Sequence, residues 1–218
     1  MKKIGIFLAV CANVFNIYAQ NKINGHEYVD LGLSVKWATC NVGANTPEEY
    51  GDYYAWGETS TKSEYTRNNS RTFGKDIMDE ETIIFEDIVM FASKDVDISG
   101  NANYDAARAN WGGSWRMPTI AEMEELEIKC AWKWTKQNGV NGYKVTGPNG
   151  NSIFLPAAGL CDGEMPRYYG EEGYYWSSTL KAGISEACCI EFDSIHLNVD
   201  DGLTEILYMG LSVRPVTE

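Results

Sequence analysis

Trp111-Gly112-Gly113-Ser114-Trp115-Arg116-Met117-Pro118-Thr119-Ile120-Ala121-Glu122 places a tight turn and a helix start side by side. The glycine pair lets the backbone fold sharply between two bulky indoles, which residues with a Cβ do not allow readily. Pro118 disfavours helical geometry at Met117, so a helix cannot begin earlier. Thr119 and Glu122 then form a capping box, in which each side chain accepts a hydrogen bond from the other's backbone N–H. Ile120, Met123, Leu126 and Cys130 recur on one helical face, and Met117 packs ahead of the cap.

Outward from this centre the periods change. Before it, Asp105-Ala106-Ala107-Arg108-Ala109 reads as a short helix within 104–110. After it, Ala131-Trp132-Lys133-Trp134-Thr135 alternates as a strand does. Segments 142–146 and 152–156 form a hairpin across Pro148-Asn149-Gly150. Segments 173–178, 187–192 and 211–216 read as further strands. Toward the N-terminus, 28–33, 34–39 and 52–56 are strands with turns between them. Residues 61–100 are polar and irregular and read as a surface insertion, with a helix over 79–91. The fold class expected is α+β: two helices with small antiparallel sheets and long loops.

Residues 1–20 have the pattern of a secretory signal peptide. Lys2 and Lys3 precede a short apolar run, and Ala19 stands at a plausible cleavage edge. Asn13 and Asn16 interrupt the run well short of the roughly 20 apolar residues of a membrane span. Residues 21–218 are then expected to form one exported domain with no membrane insertion. Its location is periplasm, cell surface or medium. The formal net charge is −13, and the leader carries only two lysines, so the remainder is more acidic still. Such a surface disfavours nucleic acid, which requires clustered Lys and Arg. Cys40, Cys130, Cys161, Cys188 and Cys189 follow the leader, an odd number that leaves at least one thiol unpaired or bonded to another chain. Cys188 and Cys189 are neighbours on a strand and should face opposite sides.

Three separated phrases carry a resemblance that spans residues 29–216. The first is Val29-Asp30-Leu31-Gly32-Leu33-Ser34-Val35-Lys36-Trp37-Ala38, and the second is the central Trp111–Thr119 segment. The third is Tyr174-Tyr175-Trp176-Ser177-Ser178 with Ser212-Val213-Arg214-Pro215-Val216, and Leu155-Pro156-Ala157-Ala158-Gly159 lies between. The chain resembles the Fibrobacter succinogenes major paralogous (FISUMP) domain family of exported bacterial proteins. The resemblance implies a C-type-lectin-like fold related to formylglycine-generating enzymes, with recognition carried by C-terminal loops. It also implies pairing of Cys40 with Cys130. Trp37, Trp111, Trp115, Arg116, Trp176 and Arg214 are read as structural, with the arginines bracing loops through several donated hydrogen bonds.

The expected recognition surface has two segments. One holds Arg167, Tyr168, Tyr169, Glu171 and Glu172. The other holds His196, Asn198, Asp200, Asp201, Thr204, Glu205 and Tyr208. Tyrosine among Asp, Asn and Glu combines rigid aromatic area with hydrogen-bonding groups. Asp200, Asp201 and Glu205, with Asp193 nearby, would suit calcium, but no EF-hand loop is present and no cofactor is expected. Only His26 and His196 are available for acid–base chemistry, and no hydrolase, zincin or nucleotide-binding motif occurs. Glu122 and Glu125 sit where the helix dipole alone accounts for them. The reading is therefore a non-catalytic module that binds an extracellular or envelope protein or glycan. A structural or assembly domain of a cell-surface complex is the alternative, and an enzyme of the formylglycine-generating type ranks below it.

Overall fold

The first and last described strands belong to one sheet. In the computed structural model, which describes residues 21–73, 95–181, 186–199 and 204–218, strands β1 (Lys22–Ile23), β2 (His26–Val29) and β3 (Lys36–Ala38) run antiparallel. The last strand, β14 (Val216–Thr217), pairs with β3 through Val216 opposite Trp37. The expected signal peptide and the helix expected over 79–91 lie outside the described residues.

The central sheet is built on β10 (Gly173–Leu180) and β11 (Glu186–Phe192), flanked by β4 (Val96–Asp97), β12 (Leu197–Asn198) and β13 (Thr204–Ile206). Both faces of β10 and β11 are covered, so the period-2 alternation divides two cores rather than core from water. Tyr174, Trp176, Ala187 and Cys189 enter one core with Trp56, Trp115 and Leu211. Tyr175, Cys188, Ile190 and Phe192 enter the other with Trp37, Leu126 and Leu155. The second core is closed by a three-stranded meander, β5 (Ala131–Gln137), β6 (Val140–Thr146) and β7 (Ser152–Pro156). A small hairpin, β8 (Leu160–Asp162) with β9 (Met165–Arg167), completes the strands.

The α+β expectation is corrected by this count. Among the described residues there are fourteen strands and two α-helices, α1 (Ala106–Trp111) and α2 (Ile120–Lys129), of six and ten residues. The fold is nearer all-β. Capping residues give helices loud local signals, whereas two- and three-residue strands are fixed by partners far away in sequence. The same physics corrects 52–56, which is no strand: Tyr54 makes a single bridge to Leu211. No helix among the described residues is long and apolar enough to cross a membrane.

The helix starts follow from their caps. Thr119 Oγ1 accepts from the Glu122 N–H, and Glu122 Oε2 accepts from the Thr119 N–H at 2.9 Å. Glu122 also takes a two-pronged contact from Arg116, at 2.8 and 2.6 Å. Asp105 caps α1 and is fully buried, accepting from the N–H groups of Arg108, Gly100 and Met117 at 2.6–2.9 Å. Burial pushes its carboxyl above the usual range, against the pull of those donors. Gly112 and Gly113 both take positive φ, which sets Trp111 and Trp115 edge to face at 5.1 Å. The pair grips β1–β2: Trp111 stacks on His26 at 3.8 Å, and Trp115 Nε1 donates to the Ile23 carbonyl at 2.8 Å.

Arg214 is 1% exposed and finds no carboxylate among the described residues. Its guanidinium donates to Asn41 Oδ1, the Ala38 carbonyl and the Phe154 carbonyl at 2.8–3.0 Å. Among the described residues no disulfide joins any of the five cysteines. The expected Cys40–Cys130 bond is absent because Cys40 belongs to the first core while Cys130 packs against the second.

Two outcomes follow. Replacing Arg214 with Met leaves three buried acceptors unsatisfied and is expected to cost about 3 kcal/mol or more in urea unfolding; wild-type stability in that variant would show that the tie is dispensable. In native protein a thiol reagent should label Cys130 first, since Cys40, Cys161, Cys188 and Cys189 are buried. Rapid labelling of Cys188 or Cys189 without denaturant would contradict the described packing.

Candidate functional site

Trp134 is the middle residue of β5, half-buried, with its ring edge-on to Tyr143 at 5.3 Å and near Phe192 at 6.3 Å. Those contacts fix the indole in one orientation. Around it opens a cleft of about 380 Å³ lined by Trp134, Asn141, Gly170, Glu171, Glu172, Asp193, Ser194 and Ile195. Three segments remote in sequence supply these residues.

The loop before β10 is pinned by its backbone. Asn141 Nδ2 donates to the Gly170 carbonyl at 2.7 Å, and Gly170 N–H donates to the Ala157 carbonyl at 2.7 Å. The N–H groups of Glu171 and Glu172 both donate to the Tyr168 carbonyl. Tyr168 takes a φ of 58°, a left-handed conformation uncommon for a tyrosine. Gly159 packs beneath this loop with φ 67°, where a Cβ would overlap the Arg167 carbonyl oxygen. Tyr168 and Tyr169 are left 48% and 62% exposed in this loop. Tyr50 flanks Tyr169, its phenol pushed upward by burial and then by that neighbour.

The opposite wall is the turn between β11 and β12. Asp193 Oδ1 accepts from the N–H groups of Ile195 and His196 at 2.6 and 2.7 Å, and Oδ2 meets His196 Nδ1 at 2.9 Å. The His196 contact, followed by the two N–H donors, lowers the Asp193 carboxyl to about 2. Ile195 is 78% exposed at the tip. Glu172 accepts from the Tyr174 hydroxyl at 2.7 Å, which Glu191 also approaches at 3.1 Å. Burial, then these two carboxylates, push the Tyr174 phenol far up, so it stays a donor.

The expected recognition residues therefore divide. Glu171 and Glu172 line the cleft, Tyr168 and Tyr169 precede them in the same loop without lining it, and His196 braces its wall. Arg167 turns to Asp162, 3.2 Å away. Asn198 lies opposite Glu191 on β12. Thr204, Glu205 and Tyr208 belong elsewhere: Thr204 pairs with Cys188, four residues or about 13 Å along β11 from Phe192. The Thr204 hydroxyl donates to Glu186, and Tyr208 meets Phe73 edge-on inside the first core. Glu205 is half-buried there, its carboxyl raised by burial and then, against a backbone hydrogen bond, by Glu191 and Glu186. Asp200 and Asp201 lie outside the described residues. Glu205 and Asp193 stand at opposite ends of β11, and the described residues contain no group of three or more ligating side chains that could hold a metal ion.

Trp134, Asn141 and Ile195 were not among the expected site residues. The alternation of Trp132 and Trp134 and the Asp-Ser-Ile-His turn sequence were the available signals, but nothing local says that they meet.

The Asp193 turn can be checked directly. A carboxyl held low by folding contributes stability above its unfolded pKa near 3.8, lost as pH falls through about 2. The Ile195 and His196 amide resonances should titrate with a midpoint near 2, whereas a midpoint near 3.8 would mean that the turn is not held as described. No family model, curated protein or solved structure matches this chain.

Proposed function

We propose that this chain is an exported, non-catalytic binding module that recognises a protein or glycan at the Trp134 cleft. One observation carries the reading: an indole from β5 and two Glu side chains from the 168–172 loop are brought together against the 193–195 turn, and two exposed tyrosines precede the glutamates in the same loop. The indole offers a flat apolar surface for the C–H face of a sugar or for a side chain. The carboxylates accept hydrogen bonds from hydroxyl, amide or ammonium groups. Backbone contacts hold the walls before any ligand arrives, which limits the ordering cost of binding. The resemblance to the FISUMP family and the leader pattern support an exported role.

Screening the purified chain on a glycan array and by envelope pull-down should identify a ligand. Trp134→Ala should weaken its binding about thirtyfold, and Tyr169→Ala by less, as for a central anchor and its rim. A ligand whose affinity neither substitution changes places recognition elsewhere.

A further inference from the structure

The β5–β7 sheet has a second face, opposite Trp134, and its charge is out of keeping with the chain. The protein has 31 acidic and 18 basic residues, yet 131–161 contains no Asp or Glu and three lysines; Lys133 and Lys144 stand on this face, and Lys136, paired with Asn141, on the other. Lys133 and Lys144 are direct cross-strand partners. Like charges in that position repel, and among the described residues neither has an ion-pair partner.

A pocket of about 250 Å³ opens beside Lys144, lined also by Val29, Thr39, Gln137, Ser152 and Phe154. Lys144, Gln137, Ser152 and Phe154 alternate onto this one face. The buried cation Arg214 stands at the β7 edge of this sheet, donating to the carbonyls of Ala38, beside Thr39, and of Phe154. No lining residue is a carboxylate; Glu48, at the edge, is engaged by the amides of Gln137 and Asn138. The Ser152 hydroxyl and Lys144 ammonium have no partner among the described residues.

We propose that this pocket binds one anionic sugar residue, a uronate, through Lys144. The lining matches that chemistry: one ammonium for one carboxylate, hydroxyls and a carboxamide for ring hydroxyls, and Val29 and Phe154 for the C–H face. The volume is below the roughly 300–1,000 Å³ of drug-sized sites, which suits one ring. Polyphosphate ligands need several clustered cations on a basic surface, and the remainder of this chain is acidic. The site is independent of the Trp134 cleft.

Glucuronate and galacturonate, with glucose and galactose as neutral controls, can be titrated into the isotopically labelled chain at low salt. The uronates should shift the Thr39, Lys144 and Ser152 amides, and the neutral sugars should bind about tenfold more weakly or not at all. Lys144→Gln should weaken uronate binding about tenfold, Lys144→Arg should retain it, and Trp134→Ala should leave it unchanged. No shift with either uronate, equal binding of neutral sugars, or full binding by Lys144→Gln overturns the proposal. Binding lost in Trp134→Ala but kept in Lys144→Gln assigns uronate to the cleft instead. If Lys144→Gln alters the whole amide spectrum, the Lys144→Arg variant decides: loss of binding there overturns the pocket assignment.

Discussion

A buried guanidinium without a carboxylate is the constraint on which the rest of the molecule depends. Arg214 connects the end of β3, the Asn41 loop and β7, which belong to two different sheets. Removing an arginine from water is costly unless its donors are met. Here neutral oxygens meet them, and the Tyr175 hydroxyl, itself donating to the Pro156 carbonyl at 2.6 Å, closes the same network. Burial lowers the Arg214 pKa and raises that of Tyr175 to about 12, so both retain their hydrogen-bonding roles at neutral pH. The arrangement is geometric as well as electrostatic. Three acceptors from three segments satisfy one planar fork only when β3 and β7 stand at a fixed separation.

Asp105 is the counterpart in the other core. It too is buried without an oppositely charged partner among the described residues, held by three backbone N–H groups. Each charge is thus solvated by peptide dipoles, and each ties segments that no strand ladder joins. Between them stand β10 and β11, whose alternate side chains feed both cores. Cys188 and Cys189 show the division at single-residue resolution, since adjacent thiols fall into separate clusters. A chain with short strands needs such ties, because two or three ladder hydrogen bonds do not by themselves fix the angle between sheets.

What was legible in the sequence was what neighbours in sequence decide. The Thr119–Glu122 box, the hairpin across Pro148-Asn149-Gly150, and the alternation in β5, β10 and β11 each depend on residues within a few positions. Arg116 and Arg214 were read as braces from their capacity for several hydrogen bonds, and Trp115 and Trp176 from their bulk; both arginines make several bonds, and each buried indole N–H makes one. The balance of helix and strand was not legible. β13 and β14 are three and two residues long and exist only because β11 and β3 pass beside them. The site was half legible for the same reason. Glu171 and Tyr169 stood out by composition, whereas Trp134 looked like any alternating core residue until the 193–196 turn was brought against it.

The two candidate surfaces share the β5–β7 sheet, and the pleat keeps them apart. Trp134 and Tyr143 are cross-strand partners on one face, and Lys133 and Lys144, one residue along each strand, are partners on the other. A one-residue slip in register would exchange the faces, burying lysine in the second core and exposing the indoles. The core therefore enforces the segregation: Tyr143 and Val145 must face Phe192 and its neighbours, which obliges Lys144 to face outward. Arg214 holds the edge of the same sheet, because it donates to the Phe154 carbonyl of β7. The tie that fixes the two sheets thereby also holds β3 and β7, whose neighbouring residues line the pocket, at a set separation.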